Sequence, residues 1–257
     1  MIRPQREAGV RYYHGEHESA YRTIESLGYT QWNDLFDRSG RWTYDRFQNR
    51  AFLERVIPRL NLPPANDTRV FEYGCGTGPA ACYLAARGFS VDAIDLVPEA
   101  ITIARRMASA RAVHINFSVA DVCELASRSV TTRYDVVLDS FCLQSIVTDE
   151  DRFAVFAAVR ARMKPNGYYV ISTALRGPGR LDEPGFFYDE LTGIYYREVS
   201  AGSNADQVVE IDGRWHIPHR RHLTAEALRA ELTSSGFEVL SLEGSDTADV
   251  VCCLRKS

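Results

Sequence analysis

The sequence predicts an α/β fold: a doubly wound, mostly parallel sheet closed by an antiparallel hairpin, with an N-terminal helical cap and a lid inserted after the fifth strand. Three observations lead there. From Arg69 onward, apolar runs of strand length alternate with amphipathic stretches of helical length, the pattern of a parallel sheet covered on both faces. A glycine-rich segment follows the first of those runs directly. The alternation then lapses across the stretch 175–222 and resumes with one helix and two short strand candidates.

Taken in order, the segment up to Pro64 is rich in aromatics (Tyr13, Tyr21, Tyr29, Trp32, Trp42, Tyr44 and Phe47 among them) and ends in an expected helix from Asp45 to Leu60. Pro63-Pro64-Ala65-Asn66-Asp67 marks a turn. Five strands are read at Arg69 to Tyr73, Ser90 to Asp95, His114 to Val119, Tyr134 to Ser140 and Tyr168 to Thr173. The helices between them span Pro79 to Arg87, Pro98 to Ala110 and Glu150 to Met163; proline at a first helical position suits the first two. Within the insertion, Gly177-Pro178-Gly179 breaks the chain, and Phe186 to Arg197 reads as a hairpin turning at Thr192-Gly193. A helix from Thr224 to Ser235 follows, with Thr224 as N-cap and Gly236 placed to end it. The closing hairpin pairs Phe237 to Leu242 with Asp249 to Arg255. The expected organisation is a cap over residues 1–64 and a sheet domain over 65–257 carrying the lid at about 175–222.

Composition narrows the function. A chain of 257 residues with 45% hydrophobic and 25% charged residues has material for one sizeable core. A net charge of -4 gives no electrostatic footprint for nucleic acid, so a small-molecule substrate is expected. The six cysteines (Cys75, Cys82, Cys123, Cys142, Cys252 and Cys253) form no CxxC pair and read as reduced, mostly buried thiols. The first residues lack an apolar leader, and no stretch approaches the ~18 apolar residues of a membrane span. These features predict a cytoplasmic protein without a membrane partner; a homodimer is left open.

Chemistry concentrates at Val70-Phe71-Glu72-Tyr73-Gly74-Cys75-Gly76-Thr77-Gly78. Glycines at alternate positions after a strand let the backbone take positive φ and approach a ligand closely. The segment also contains a partial dinucleotide match, Gly76-Thr77-Gly78-Pro79-Ala80-Ala81, with alanine in the last place. Glu72 before the first glycine and further acids at strand ends shift the balance. The pattern Glu72-x-Gly74-x-Gly76-x-Gly78 resembles the first motif of class I S-adenosylmethionine-dependent methyltransferases of the small-molecule type. That resemblance covers about Arg69 to Thr173 plus the hairpin, and it implies a seven-stranded, mostly parallel sheet. It further implies that the loop of Gly74, Cys75, Gly76 and Gly78 passes under the methionine moiety, with Glu72 beside it. Asp95, at the tip of the second strand, is implied to hold both ribose hydroxyls, with Leu96 on the adenine. Asp92 alternates to the other face. Asp121 and the Val122 amide are implied to meet the adenine edge, although Asp121 also reads as a helix N-cap. Asp139 and Ser140, continuing to Gln144, are implied to run over the cofactor towards the transferable methyl. One departure matters. The chain has Asp139-Ser140-Phe141-Cys142 where many amine and DNA methyltransferases carry Asn-Pro-Pro-Tyr or Asp-Pro-Pro-Tyr, which disfavours a nucleobase nitrogen as acceptor.

Residues for the acceptor are sought outside the core. Tyr12 and Trp32 are expected near the cofactor, and Tyr13 and His17 near the substrate, with Gln144, Asp189 and Arg220. His14, Tyr188 and His222 are the catalytic candidates, any general base lying among His14, His17, His219 and His222. Three histidines recur in His216-Ile217-Pro218-His219-Arg220-Arg221-His222, but Pro218 interrupts a helix and two arginines bring repelling charge, so no metal is expected. The expected reaction is in-line transfer of a methyl group from S-adenosylmethionine, leaving S-adenosylhomocysteine. Nitrogen or sulfur of an amino-acid-like metabolite is the first expectation, and a hydroxyl of a secondary metabolite the alternative. A nicotinamide-dependent oxidoreductase and a non-catalytic cofactor-binding module are the readings from other classes.

Overall fold

Apolar side chains that alternate along each strand give the chain a sheet buried on both faces. The computed structural model describes residues 13–37, 39–40, 42–177, 184–200 and 207–255. The cap contributes α1 (His14–Ser26) and α2 (Arg50–Val56). The alternating core follows as β1 (Arg69–Tyr73), α3 (Pro79–Ala85), β2 (Ser90–Asp95), α4 (Pro98–Ala110), β3 (Asn116–Val119), β4 (Tyr134–Ser140), α5 (Asp149–Arg162) and β5 (Met163–Ala174). The lid holds β6 (Phe186–Asp189), β7 (Ile194–Val199), β8 (Val209–Ile211) and β9 (Arg214–Arg221). The chain closes with α6 (Ala225–Ser234), β10 (Phe237–Glu243) and β11 (Thr247–Leu254).

Seven strands form one sheet in the order β10-β11-β5-β4-β1-β2-β3, parallel except for the antiparallel pairing of β11 with β5 and β10. This is the predicted architecture. Val70, Val91, Val136 and Leu138 pack on one face under α2, α3 and α4, whereas Phe71, Tyr73, Val137 and Tyr169 pack on the other under α5 and α6. Helix ends follow the sequence signals: Thr148 Oγ1 accepts from the Asp151 amide (3.1 Å) and Thr224 Oγ1 from the Ala227 amide (3.2 Å).

Three differences from expectation have physical causes. The helix read from Asp45 starts at Arg50, because the Gln31 side-chain amide donates to the Thr43 and Arg46 carbonyls (2.6 and 3.0 Å) and holds residues 43–46 in a tight turn. In the lid, the expected hairpin is β6–β7, turning through Gly193 at φ 73°, but it belongs to a four-stranded antiparallel sheet, β6-β7-β9-β8. The histidine-rich run is the strand β9, with its register shifted against β7 so that His219 is an extra residue. Pro178 and Gly179 lie outside the described residues.

The glycine loop shows what packing demands of it. A Cβ on Gly78, at φ 81°, would lie 3.1 Å from Phe117 Cζ and 3.2 Å from Ala104 Cβ, so this glycine lets α3 close on α4 and β3. Gly78→Ala is therefore expected to cost about 1–3 kcal/mol of stability. Urea unfolding of variant and parent measures it, and equal midpoints would contradict the packing assignment.

Candidate functional site

Chain connections leave β1 in opposite directions, to β2 on one side and, later, to β4 on the other. Ligands in open α/β sheets bind at the carboxyl ends of the strands where the order reverses, and here those ends open into a cleft of ≈ 1180 Å³ including its mouth. Glu72, Gly74, Cys75 and Gly76 line it from β1, Asp95 and Leu96 from β2, Asp121 and Val122 from the end of β3, and Ser140 and Gln144 from the end of β4. The cap brings Tyr13, His17 and Trp32, and the lid brings Arg220.

The floor of the cleft is backbone. Gly74 and Gly76 have φ 58° and 55°, conformations that L side chains rarely adopt. Space is equally restrictive: a Cβ on Gly74 would sit 2.3 Å from Cys142 Sγ, and one on Gly76 would sit 2.9 Å from the Tyr21 hydroxyl. Thr77 ties the loop to the cap, its carbonyl accepting from Tyr44 and its hydroxyl donating to the Thr30 carbonyl (2.6 Å).

Three carboxyl groups stand at successive strand ends. Glu72 is fully buried; Oε1 accepts from Ser140 Oγ (2.8 Å), which accepts in turn from Asn49 Nδ2 (3.1 Å). Oε2 has no hydrogen-bond partner among the described residues. Burial, reinforced by the charge of Asp139, pushes the Glu72 carboxyl up to about 8 against the Ser140 bond that lowers it. Asp95 accepts from the Gly76 amide (2.8 Å) and the Val97 amide (2.9 Å), and burial still raises it to about 6. Each of its oxygens keeps a lone pair for a further donor. Asp121 accepts from the Cys123 amide (2.8 Å), capping the short helix of residues 122–127 and lining the cleft as well.

Other expected residues lie elsewhere. Asp139 belongs with the opposite core: alternation along β4 turns it to the Tyr73 side, where it accepts from the Tyr73 hydroxyl (2.5 Å) and the Cys142 and Leu143 amides (2.8 and 3.0 Å). Its place at the cleft is taken by Ser140. Tyr188 donates to the His222 carbonyl (2.9 Å), and His222 packs on Tyr195 with ring centroids 5.0 Å apart; both are occupied in the lid's own packing. Asp189 braces the β6–β7 turn, accepting from the Leu191 amide (3.0 Å) and Thr192 Oγ1 (2.7 Å). His14 opens α1 and is not among the cleft-lining residues. Tyr12 lies outside the described residues. Among the four histidines considered as a base, His17 alone lines the cleft. His219 pairs with Glu16 (3.2 Å).

The structure adds Tyr21 and Asn49, which the sequence reading did not single out, and it brings Phe141 of the run from Ser140 to Gln144 to the cleft. Tyr13, His17 and Tyr21 recur every fourth position and so share one face of α1. Phe141 holds φ 66°, unusual for a bulky side chain, in the turn that Asp139 braces.

The Glu72 carboxyl has a measurable consequence. Its folded value lies above its unfolded one, so the folded chain keeps a proton that the unfolded chain loses as pH rises from about 4.5 to about 8, and stability falls through that window. Glu72→Gln is expected to unfold at higher denaturant than the parent at pH 8, by at least about 1 kcal/mol, with a smaller gap at pH 5. A gap that does not grow with pH contradicts the assignment.

Comparison with known proteins agrees with this geometry. A family model described as a methyltransferase domain matches residues 70–167. A ubiquinone biosynthesis O-methyltransferase of Xanthomonas campestris pv. campestris (strain B100) is 32% identical over 130 residues, covering 51% of this chain and 52% of that one. The chain thus spans about half the length of the curated relatives it matches. Among solved structures, a S-adenosylmethionine-dependent methyltransferase from Clostridium acetobutylicum ATCC 824 superposes with TM-score 0.58 at 14% identity, covering 92% of this chain and 99% of that one. The glycopeptide N-methyltransferase MtfA, complexed with S-adenosylmethionine, gives TM-score 0.53 at 19% identity over 80% of this chain and 92% of that one. Residues 70–167 thus match a methyltransferase domain, and the chain shares the fold of S-adenosylmethionine-dependent methyltransferases.

Proposed function

We propose that the protein transfers a methyl group from S-adenosylmethionine to a hydroxyl oxygen of a small molecule. The observation that carries the oxygen assignment is the distribution of charge in the cleft. Its carboxyl groups, Glu72, Asp95 and Asp121, all stand at strand ends, while the cap and lid supply Arg220, a histidine, carboxamides and aromatic rings. Among the described residues the cap and lid line the cleft with no carboxylate, and the nearby Glu16 is taken up by His219 and Arg220, so an ammonium acceptor would find no free counter-charge there. The expectation of nitrogen or sulfur in an amino-acid-like compound therefore gives way to oxygen, and the relatives named as O-methyltransferases support the same choice.

The residues suit the cofactor. When bound, S-adenosylmethionine supplies an electrophilic methyl carbon on a sulfonium. Glu72, with one buried oxygen lacking a partner, would receive the methionine ammonium; the Asp95 lone pairs suit two ribose hydroxyls, and Asp121 with the Val122 amide suits the adenine edge. Gly74 and Gly76 keep side chains out of the floor. Tyr13, His17 and Tyr21 on α1 roof the cleft, excluding water and fixing the acceptor, which is the main work an enzyme does for a direct displacement.

Three measurements test the proposal. Incubating the protein with methyl-labelled cofactor and a fractionated metabolite extract of its source should yield a labelled methyl ether, identified by mass spectrometry; a labelled amine, thioether or sulfonium overturns the oxygen assignment. Asp95→Ala should weaken S-adenosylhomocysteine binding about a hundredfold, the loss of two charge-assisted hydrogen bonds. Unchanged affinity removes Asp95 from the ribose site. The cofactor's ammonium should also expel the Glu72 proton, since a nearby cation favours the ionised carboxyl. Calorimetry of S-adenosylhomocysteine binding near pH 7 is then expected to show proton release, read from buffers of different ionisation heat. Glu72→Gln should lose it; a parent enthalpy independent of buffer contradicts the placement.

A further inference from the structure

Resting on that reading, we infer that Arg220 makes the protein select acidic hydroxyl acceptors and bind them as oxyanions, replacing a histidine general base. Strand β9 is irregular. Tyr195 pairs with Arg220 and Tyr196 with Pro218, so His219 is an extra residue in the strand, and Pro218 has no amide hydrogen to continue the ladder. The bulge lets two successive side chains reach one partner: His219 Nδ1 lies 3.2 Å from Glu16 Oε2, and Arg220 Nη2 donates to Glu16 Oε1 (3.1 Å). Arg220 Nη1 is held by the His219 carbonyl (2.9 Å). The guanidinium is thus fixed from two sides, its side chain only 12% exposed, and it lines the cleft. With five N–H donors and these two bonds, it keeps donors for a ligand.

Glu16 engages Nη2, and Arg220 still lines the cleft. His17, also lining the cleft, lies between Tyr13 and Trp32 (ring centroids 5.4 and 5.0 Å). Burial first, and then the charge of Arg220, drive the imidazole down to about 3; Glu16 opposes this less strongly than Arg220 promotes it, and His219 and His14 add to the lowering. Glu16 itself is held at about 2, the His219 hydrogen bond and Arg220 overcoming its burial. An imidazole so depressed is a weak base for a hydroxyl. The positive charge of Arg220, by contrast, favours ionisation of a hydroxyl bound beside it. The acceptor proton passes to solvent as the oxyanion binds. Its lone pair then forms the C–O bond as the methyl–sulfur bond breaks, that electron pair remaining on sulfur.

A coloured probe reads this without turnover. With S-adenosylhomocysteine bound, 4-nitrophenol, whose anion absorbs in the visible, is titrated into the protein across the pH range around its own pKa. The expected result is an ionised-to-neutral ratio about tenfold higher on the protein than in buffer at equal pH. Arg220→Gln should abolish the shift, His17→Gln should keep it, and Glu16→Gln, which unshields Arg220 while preserving it, should enlarge it. A shift surviving in Arg220→Gln, one lost in His17→Gln, one reduced in Glu16→Gln, or no binding of the probe to the cofactor-loaded protein overturns the inference. Absence of S-adenosylhomocysteine binding in the parent would instead defeat the cofactor reading on which it rests.

Discussion

Cys142 occupies the volume that any side chain on Gly74 would need, with its Sγ 2.3 Å from where that Cβ would stand. This exclusion joins the glycine loop to the turn after β4, and much of the site depends on it. The turn is held by two buried ionisable groups. Asp139 takes the Cys142 and Leu143 amides at its start, and Arg152, paired with Glu231 (2.5 Å), donates to the Leu143 and Ile146 carbonyls (2.9 and 3.0 Å) at its end. Burying these groups is unfavourable unless they are well bonded, and here their bonds go to backbone groups of a turn too short to satisfy itself. The result is a rigid wall presenting Phe141 in a strained conformation beside the loop.

Helix α1 of the cap is attached at both ends. Ile24 packs against Val97, Ala100 and Ile103 of the sheet domain, and Arg22 and Arg106 make ion pairs across the same seam with Glu99 and Glu25 (3.2 and 3.1 Å). These exposed pairs contribute little; the apolar seam does the holding. The other end of α1 reaches the lid through Glu16. Cap and lid thus meet over the cleft through one acidic residue and a bulged strand, an arrangement that fixes Arg220 while leaving the cofactor side to the acids at the strand ends.

Legibility followed the range of the interactions. The sheet was readable because each strand is its own short apolar run, and Glu72, Asp95 and Asp121 were readable because each stands where such a run ends. Alternation could also have placed Asp139: it is one residue from Ser140, and the reasoning that set Asp92 apart from Asp95 assigns it to the Tyr73 side. The face shared by Tyr13, His17 and Tyr21 was available in the same way, as a four-residue spacing. Asn49, and the bond that fixes the expected Arg220, were different. Asn49 reaches Ser140 across 91 positions and Arg220 reaches Glu16 across 204, contacts that no local pattern encodes. The turn at residues 43–46 overrode a good helical pattern for the same reason, through Gln31.

The account stands on a cofactor lying along the ends of β1, β2 and β3, and a crystal structure of the protein with S-adenosylhomocysteine tests that most directly. The expected density places the amino group against Glu72 Oε2, the ribose on Asp95 and the adenine by Asp121, with the sulfur facing His17 and Arg220. S-adenosylhomocysteine bound outside this cleft, or within it with its adenine towards Glu72, would contradict the assignment of the site.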